Sequence, residues 1–281
     1  MSYKTILVHT DQTSHAAARV KLAVRLALSC GAHLTGLACT GISRFAQAGD
    51  LMRQWPMLPE HVSAWRERAR ESLGTFGAIA QQGGLAMFTP CLADDDPEDA
   101  LLLQAPFHDL LILSQTDPAE QAPGVIRDLP QNVLLHGGRP LLLVPGEIDG
   151  EPLEIPFRHP LLAWDGSGQA ARAISNALPL LKMAGRATLV VLNVENLPAA
   201  HGMEPGADMA LFLARHGVKV ELMREYTRAD IGDALLDVAA DLGCDLLVMG
   251  GYGHRRVREN VLGGTTRTVL DSMSLPVLMA H

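Results

Sequence analysis

The sequence predicts an α/β protein of two repeated domains, each an open five-stranded parallel sheet with helices on both faces. Three observations predict it. Short apolar runs recur in the same order in both halves, an aspartate closes the first run each time, and the last two strands of each half overlay without a gap. Hydrophobic residues make up 48% of the chain but aromatics only 4%, so Leu, Ala and Val must supply the core. That balance suits helices packed on a parallel sheet better than an all-β sandwich. The 281 residues allow two domains of ordinary size, each able to bury a core.

The first repeat opens with Thr5-Ile6-Leu7-Val8-His9-Thr10-Asp11, a short apolar strand ending at an aspartate. A helix follows, and Gly31 stands where its stop belongs, since glycine accepts the left-handed conformation that ends helices. His33 to Thr40 reads as the second strand. Gly41 to Gly84 holds extra sequence, with Trp55-Pro56 and a helix expected from Glu60 to about Ala80. Such an insertion suits a lid, a packing helix or a partner surface. Asp94-Asp95-Asp96-Pro97-Glu98-Asp99 invites a metal reading, but Asp before Pro with acids in the first turn is how a helix starts. His108 to Ser114 and Arg139 to Val144 contain the closing strands.

Pro145, Gly146, Gly150, Pro152 and Pro156 punctuate a charged joint, which divides the chain into domains at 1–146 and 158–281. The second repeat opens with Leu161-Leu162-Ala163-Trp164-Asp165. Ala170, Ala171, Ile174, Leu178 and Leu181 then recur at helical spacing, with Gly185 as the stop and Pro179 set to kink or shorten the helix. Thr188 to Val194 is the second strand, and Pro198 to Gly217 replaces the longer insertion of the first repeat. Asp230-Ile231-Gly232-Asp233 mirrors the acidic helix start.

The second repeat ends in the segment richest in chemistry. Leu246-Leu247-Val248-Met249 is a buried strand running into Gly250-Gly251-Tyr252-Gly253, and Gly263-Gly264-Thr265-Thr266 follows after nine residues. Glycine turns let backbone N–H groups approach a phosphate, and a helix N-terminus adds free donors. Two such elements would hold two parts of one polyphosphate. No GK[ST] follows, so this is not a Walker loop, and Gly251-Tyr252-Gly253 lacks the further glycine of a dinucleotide fingerprint. His254, Arg255, Arg256 and Arg258 stand after the first turn, either against phosphates or in a solvated loop. Asp165 suits both a ligand contact and a helix cap ahead of Gly166-Ser167. In the ungapped overlay Gly250 becomes Ser114, Gly253 becomes Asp117, Gly263 becomes Arg127 and Gly264 becomes Asp128, so the first repeat has a degenerate motif.

Other classes find little support. The formal charge of −8 without a basic block gives no footprint for nucleic acid. Cys30, Cys39, Cys91 and Cys244 are scattered, as in a reducing compartment. No GxSxG elbow, HExxH pair or other catalytic arrangement is present. With no signal peptide read ahead of the first strand and no run as long as a membrane span, a soluble, cytoplasmic protein is expected.

The motif Gly250-x-x-Gly253, nine residues, Gly263 and a small residue, together with the strand-closing Asp165, resembles the ATP-binding signature of the universal stress proteins. The whole chain resembles a tandem member of that family, two Rossmann-like domains of the adenine nucleotide alpha hydrolase type. The resemblance implies ATP with Mg2+ as ligand. Asp165 would lie beneath base and ribose or reach a metal, Val194 would offer backbone bonds to adenine, and Met249 and Gly250 would border the ribose. Gly253, Gly263, Gly264 and Thr265 would wrap the phosphates. The family often has Ser or Thr where this chain has Gly264, so Thr265 or Thr266 would have to supply that hydroxyl. The resemblance further implies a stress-response protein that acts through conformation or an unknown protein partner, with at most slow ATP hydrolysis. The apolar final strands, Leu141 to Val144 and Val277 to Ala280, resemble family pairing segments, implying an intrachain pseudo-dimer with homodimerisation left open. A nucleotide-free scaffold on the same tandem fold is the alternative.

Overall fold

The computed structural model describes residues 2–43, 59–116, 128–146, 155–196, 204–252 and 264–281. Trp55-Pro56, Asp117, Arg127, Gly253, Gly263 and the basic residues 254–258 lie outside them. The chain is α/β and forms two compact units, Ser2–Arg139 and Pro140–His281.

The first unit contains β1 (Thr5–His9), α1 (Ala16–Cys30), β2 (His33–Cys39), α2 (Pro59–Gln82), β3 (Phe88–Ala93), α3 (Pro97–Gln104), β4 (Leu110–Ser114) and α4 (Leu129–His136). Its strands lie in the order β3-β2-β1-β4, all parallel. Ile6, Leu7 and Val8 are fully buried because both faces of β1 are covered, which is why the strand reads as an unbroken apolar run. On β2, a Cβ at Gly36 would stand 2.6 Å from the Phe76 ring of α2. Its neighbour Thr35 faces the other way and meets His108, just beyond α3, at 3.2 Å. Successive strand residues thus place helices on opposite faces.

The second unit contains β5 (Leu141–Val144), β6 (Pro160–Ala163), α5 (Gly168–Leu181), β7 (Ala187–Leu192), α6 (Ala207–Arg215), β8 (Val220–Glu225), α7 (Ile231–Asp241), β9 (Leu246–Gly250), α8 (Gly264–Ser272) and β10 (Val277–Ala280). Its order is β5-β10-β9-β6-β7-β8, parallel throughout except that β5 runs antiparallel to β10, with Leu142 opposite Leu278. The last strand of the first repeat is therefore part of the second unit.

Helix ends follow local chemistry. Gly31 closes α1 in the left-handed conformation, φ 60°, as its sequence position predicts. Asp96 caps α3 by accepting the Asp99 N–H at 3.0 Å, with Pro97 in the first turn. Asp230 caps α7 by accepting the Gly232 N–H at 2.7 Å. At α5 the stop expected at Gly185 and an early end at Pro179 are corrected. The helix runs through Pro179 to Leu181, and its C-cap is Lys182, so Gly185 lies beyond the helix end. Proline in the last turn disturbs few of the bonds that a helix end makes.

One device recurs in both repeats. Asp109, just before β4, accepts the N–H groups of Lys4 at 2.7 Å and Thr5 at 3.1 Å. Asp245, just before β9, accepts those of Arg158 and of His159, the latter at 3.0 Å. Each aspartate pins the start of the neighbouring first strand, which explains why the overlay aligns them. Among the described residues no helix is long and apolar enough to cross a membrane.

Candidate functional site

In the second unit, β6 has β7 on one side and β9 on the other, so the strand order reverses at β6. Open α/β sheets form their ligand crevice at such a reversal, outside the carboxyl ends of the strands. Asp165 follows β6, and Gly250 ends β9, where Leu162 pairs with Val248 just below them. The structure thus brings together Asp165, Met249 and Gly250.

Each is held by backbone geometry. Asp165 Oδ1 accepts the Ser167 N–H at 2.9 Å around Gly166, φ 75°, and the Ser167 hydroxyl in turn accepts the Ala170 N–H at 3.0 Å. Ser167 is therefore the helix cap and Asp165 its support. Among the described residues no cationic side chain pairs with Asp165. A Cβ on Gly250 would lie 2.5 Å from the Ala170 nitrogen and 2.8 Å from the Gln169 carbonyl carbon. Glycine there lets β9 end against the first turn of α5. Met249 is buried.

Val194 lies beyond the end of β7, in a 3-10 turn entered through Asn193 at φ 50°. Asn193 holds this turn by accepting the Thr227 N–H at 2.8 Å. Gly264 opens α8 and is exposed, and a Cβ there would be 4.0 Å from Asp230 Oδ2. Thr265 is half-buried in the same turn. Thr266 is buried, and its hydroxyl accepts the Tyr252 N–H at 3.1 Å. Of the two threonines offered for the hydroxyl that Gly264 lacks, Thr266 ties the turn after β9 to α8. Gly232 reads in the sequence only as part of a helix start, yet a Cβ there would stand 2.7 Å from Thr268 and 2.9 Å from the Thr265 oxygen. A glycine in the first turn of a helix, where better helix formers are usual, is the signal that would have found it.

At the corresponding place in the first unit, the strand order reverses at β1, between β2 and β4. Here the crevice holds a side chain. Arg19 of α1 is 1% exposed; its Nε donates to the His9 carbonyl at 2.8 Å and its Nη1 to the Ser114 hydroxyl at 2.6 Å. Its Nη2 forms an ion pair with Asp11 Oδ2 at 3.0 Å. Asp11 also accepts the Thr13 hydroxyl at 2.6 Å and lies 3.4 Å from His9 Nδ1. Burial pushes the His9 imidazole down to about 4, with Asp11 pulling it up and Arg19 pushing it down. Burial also acts to raise the Asp11 pKa, but Arg19, then His9 and the Thr13 bonds, outweigh it and hold it well below the usual carboxylate range. Sequence reading missed Arg19, because an arginine within a helix normally reads as solvated.

Elsewhere, one oxygen each of Asp95, Asp96 and Asp99 come within 4.8 Å of one another, in the turn that starts α3. The Asp96 cap accounts for that turn as a helix start.

Comparison with known proteins shows what the chain is similar to. Residues 156–281 match the Universal stress protein family. The second repeat thus matches a universal stress protein domain. A universal stress protein of Synechocystis is 24% identical over 302 residues, spanning 98% of this chain and 99% of its own. The solved structure of a universal stress protein from Archaeoglobus fulgidus superposes with a TM-score of 0.74 at 16% identity, covering 98% of this chain and 95% of that one. A functionally unknown protein from Pseudomonas aeruginosa gives a TM-score of 0.60 at 18% identity, covering 99% of this chain and 92% of its own. The universal stress protein fold thus extends over nearly the whole chain.

Proposed function

We propose that the chain is a universal stress protein that binds an adenine nucleotide, ATP with Mg2+, in the second unit and acts through the resulting change of conformation or of partner surface. The observation that carries the reading is the crevice at the reversal of strand order, where Asp165 and Gly250 stand at neighbouring strand ends. The Asp165 carboxylate uses one oxygen on the Ser167 N–H and has no cation beside it among the described residues, which suits a ribose hydroxyl or the Mg2+ of a nucleotide. Gly264, exposed at the start of α8, offers backbone N–H groups to a phosphate. No described residue of the crevice is placed to activate water, so hydrolysis would be slow at most.

Two observations favour a second reading, a nucleotide-free scaffold. The closeness of α5 accounts for Gly250 without any ligand, and Asp230 puts a carboxylate beside Gly264, where it would oppose phosphate. Calorimetric titration with ATP and magnesium, with AMP alongside, decides between them. Saturable binding at one site per chain, lost in Gly263→Asp, supports the nucleotide reading. Absence of binding at millimolar ATP would overturn it and leave the scaffold.

A further inference from the structure

The helices that follow the first strands of the two repeats bury matching positions. Arg19, Val20, Ala23, Leu26 and Ala27 of α1 correspond at constant spacing to Ala173, Ile174, Ala177, Leu180 and Leu181 of α5. The same overlay places Asp11 on Asp165, while Ser114 stands for Gly250. Around a shared aspartate, two small residues of the second unit are thus replaced by a guanidinium and the hydroxyl that receives it.

We propose that the first unit carries a buried guanidinium-binding site at its reversal of strand order and that Arg19 is its resident ligand. The site consists of the His9 carbonyl and Asp11 carboxylate at the end of β1 and the Ser114 hydroxyl at the end of β4. A charge as deeply buried as Arg19 persists only where ion pairing and hydrogen bonds offset its desolvation. Two hydrogen bonds from different nitrogens of the guanidinium, Nε to the His9 carbonyl and Nη1 to the Ser114 hydroxyl, and the ion pair of Nη2 with Asp11 do so. Such separated donors belong to a planar guanidinium, not to the compact head of a lysine. The guanidinium neutralises Asp11 and stands, in the overlay, where the second unit has only the Ala173 methyl. The first unit is therefore closed to nucleotide by a ligand that the chain supplies itself. This assignment does not depend on whether the second unit binds ATP.

The test is chemical rescue. Arg19→Ala empties the site and leaves Asp11 unpaired, so its thermal midpoint falls below that of the wild type. Low-millimolar guanidinium chloride should raise that midpoint saturably, since a ligand that binds only the folded state stabilises it. Sodium chloride at equal ionic strength should not, nor should guanidinium raise the wild-type midpoint. A variant midpoint that stays flat or falls with guanidinium would overturn the proposal. Should Arg19→Ala not fold, Arg19→Lys in a double-mutant cycle with Ser114→Ala gives a second test. The Ser114→Ala substitution should lower the midpoint of the wild type and leave that of the Arg19→Lys variant unmoved; equal losses in both backgrounds would overturn the site. Hydrogen-exchange protection appearing around Asp11 and Ser114 of the wild type when ATP is added would overturn it as well.

Discussion

Arg19 and Ala173 occupy matching places in their helices, yet one is a buried cation and the other a methyl group. The pH response of the first unit should follow from that difference. His9 is held neutral to about pH 4, whereas its unfolded value is 6.5, so the unfolded chain binds the extra proton first. Stability is therefore whole above pH 6.5 and declines as pH falls from there to about 4. Asp11, lowered in the folded state, adds a loss that begins only below its ordinary value of 3.8. Urea midpoints measured across this range should slope for the wild type and slope less for His9→Gln; parallel curves would contradict the assignment of His9. Little of this cluster was legible in the sequence. The aspartate closing the first strand was, but the burial of Arg19 arises only when β1, β4 and α1 converge. The overlay held the clue in Ser114, since a side chain replaces Gly250 only where its surroundings accommodate it.

At the scale of elements, glycines and aspartates set how strands and helices meet. Gly250→Ala should destabilise the second unit by about 1–3 kcal/mol, because the added methyl collides with the backbone of α5. A urea-unfolding series that finds Gly250→Ala neutral would show that α5 yields there. Asp109→Ala and Asp245→Ala each strip the acceptor from one exposed and one part-buried strand-opening N–H and should each cost about 1 kcal/mol in the same assay. Central strands are readable because both faces are buried. The outer strands β3 and β8 are not: Pro90 in one, and Glu221, Arg224 and Glu225 in the other, interrupt any apolar run. Valine favours strands, so Val194 reads as a strand end, but the turn at Asn193 comes first. Of the candidate site, Asp165 and Gly250 were legible as a pair; the reason for Gly250, contact with α5, was not.

For the whole molecule, the two repeats predict an uneven response to ligand. If ATP binds as proposed, hydrogen-exchange protection should increase within Pro140–His281, at the ends of β6 and β9 and the start of α8, and stay unchanged in Ser2–Arg139. Equal protection of both units would contradict a nucleotide site confined to the second. The repeat itself was the most readable property of the chain, because strand-closing aspartates and apolar runs recur at fixed spacing. The antiparallel pairing of β5 with β10 has a practical consequence for dissecting the protein. A fragment starting at residue 158 would hold every glycine of the motif and every helix of the second repeat, yet it would lack β5. Its β10, apolar and buried in the intact chain, would become a bare sheet margin inviting association with other copies. Genetic fission at the sequence junction is therefore not a neutral cut, because the two halves share a strand across it.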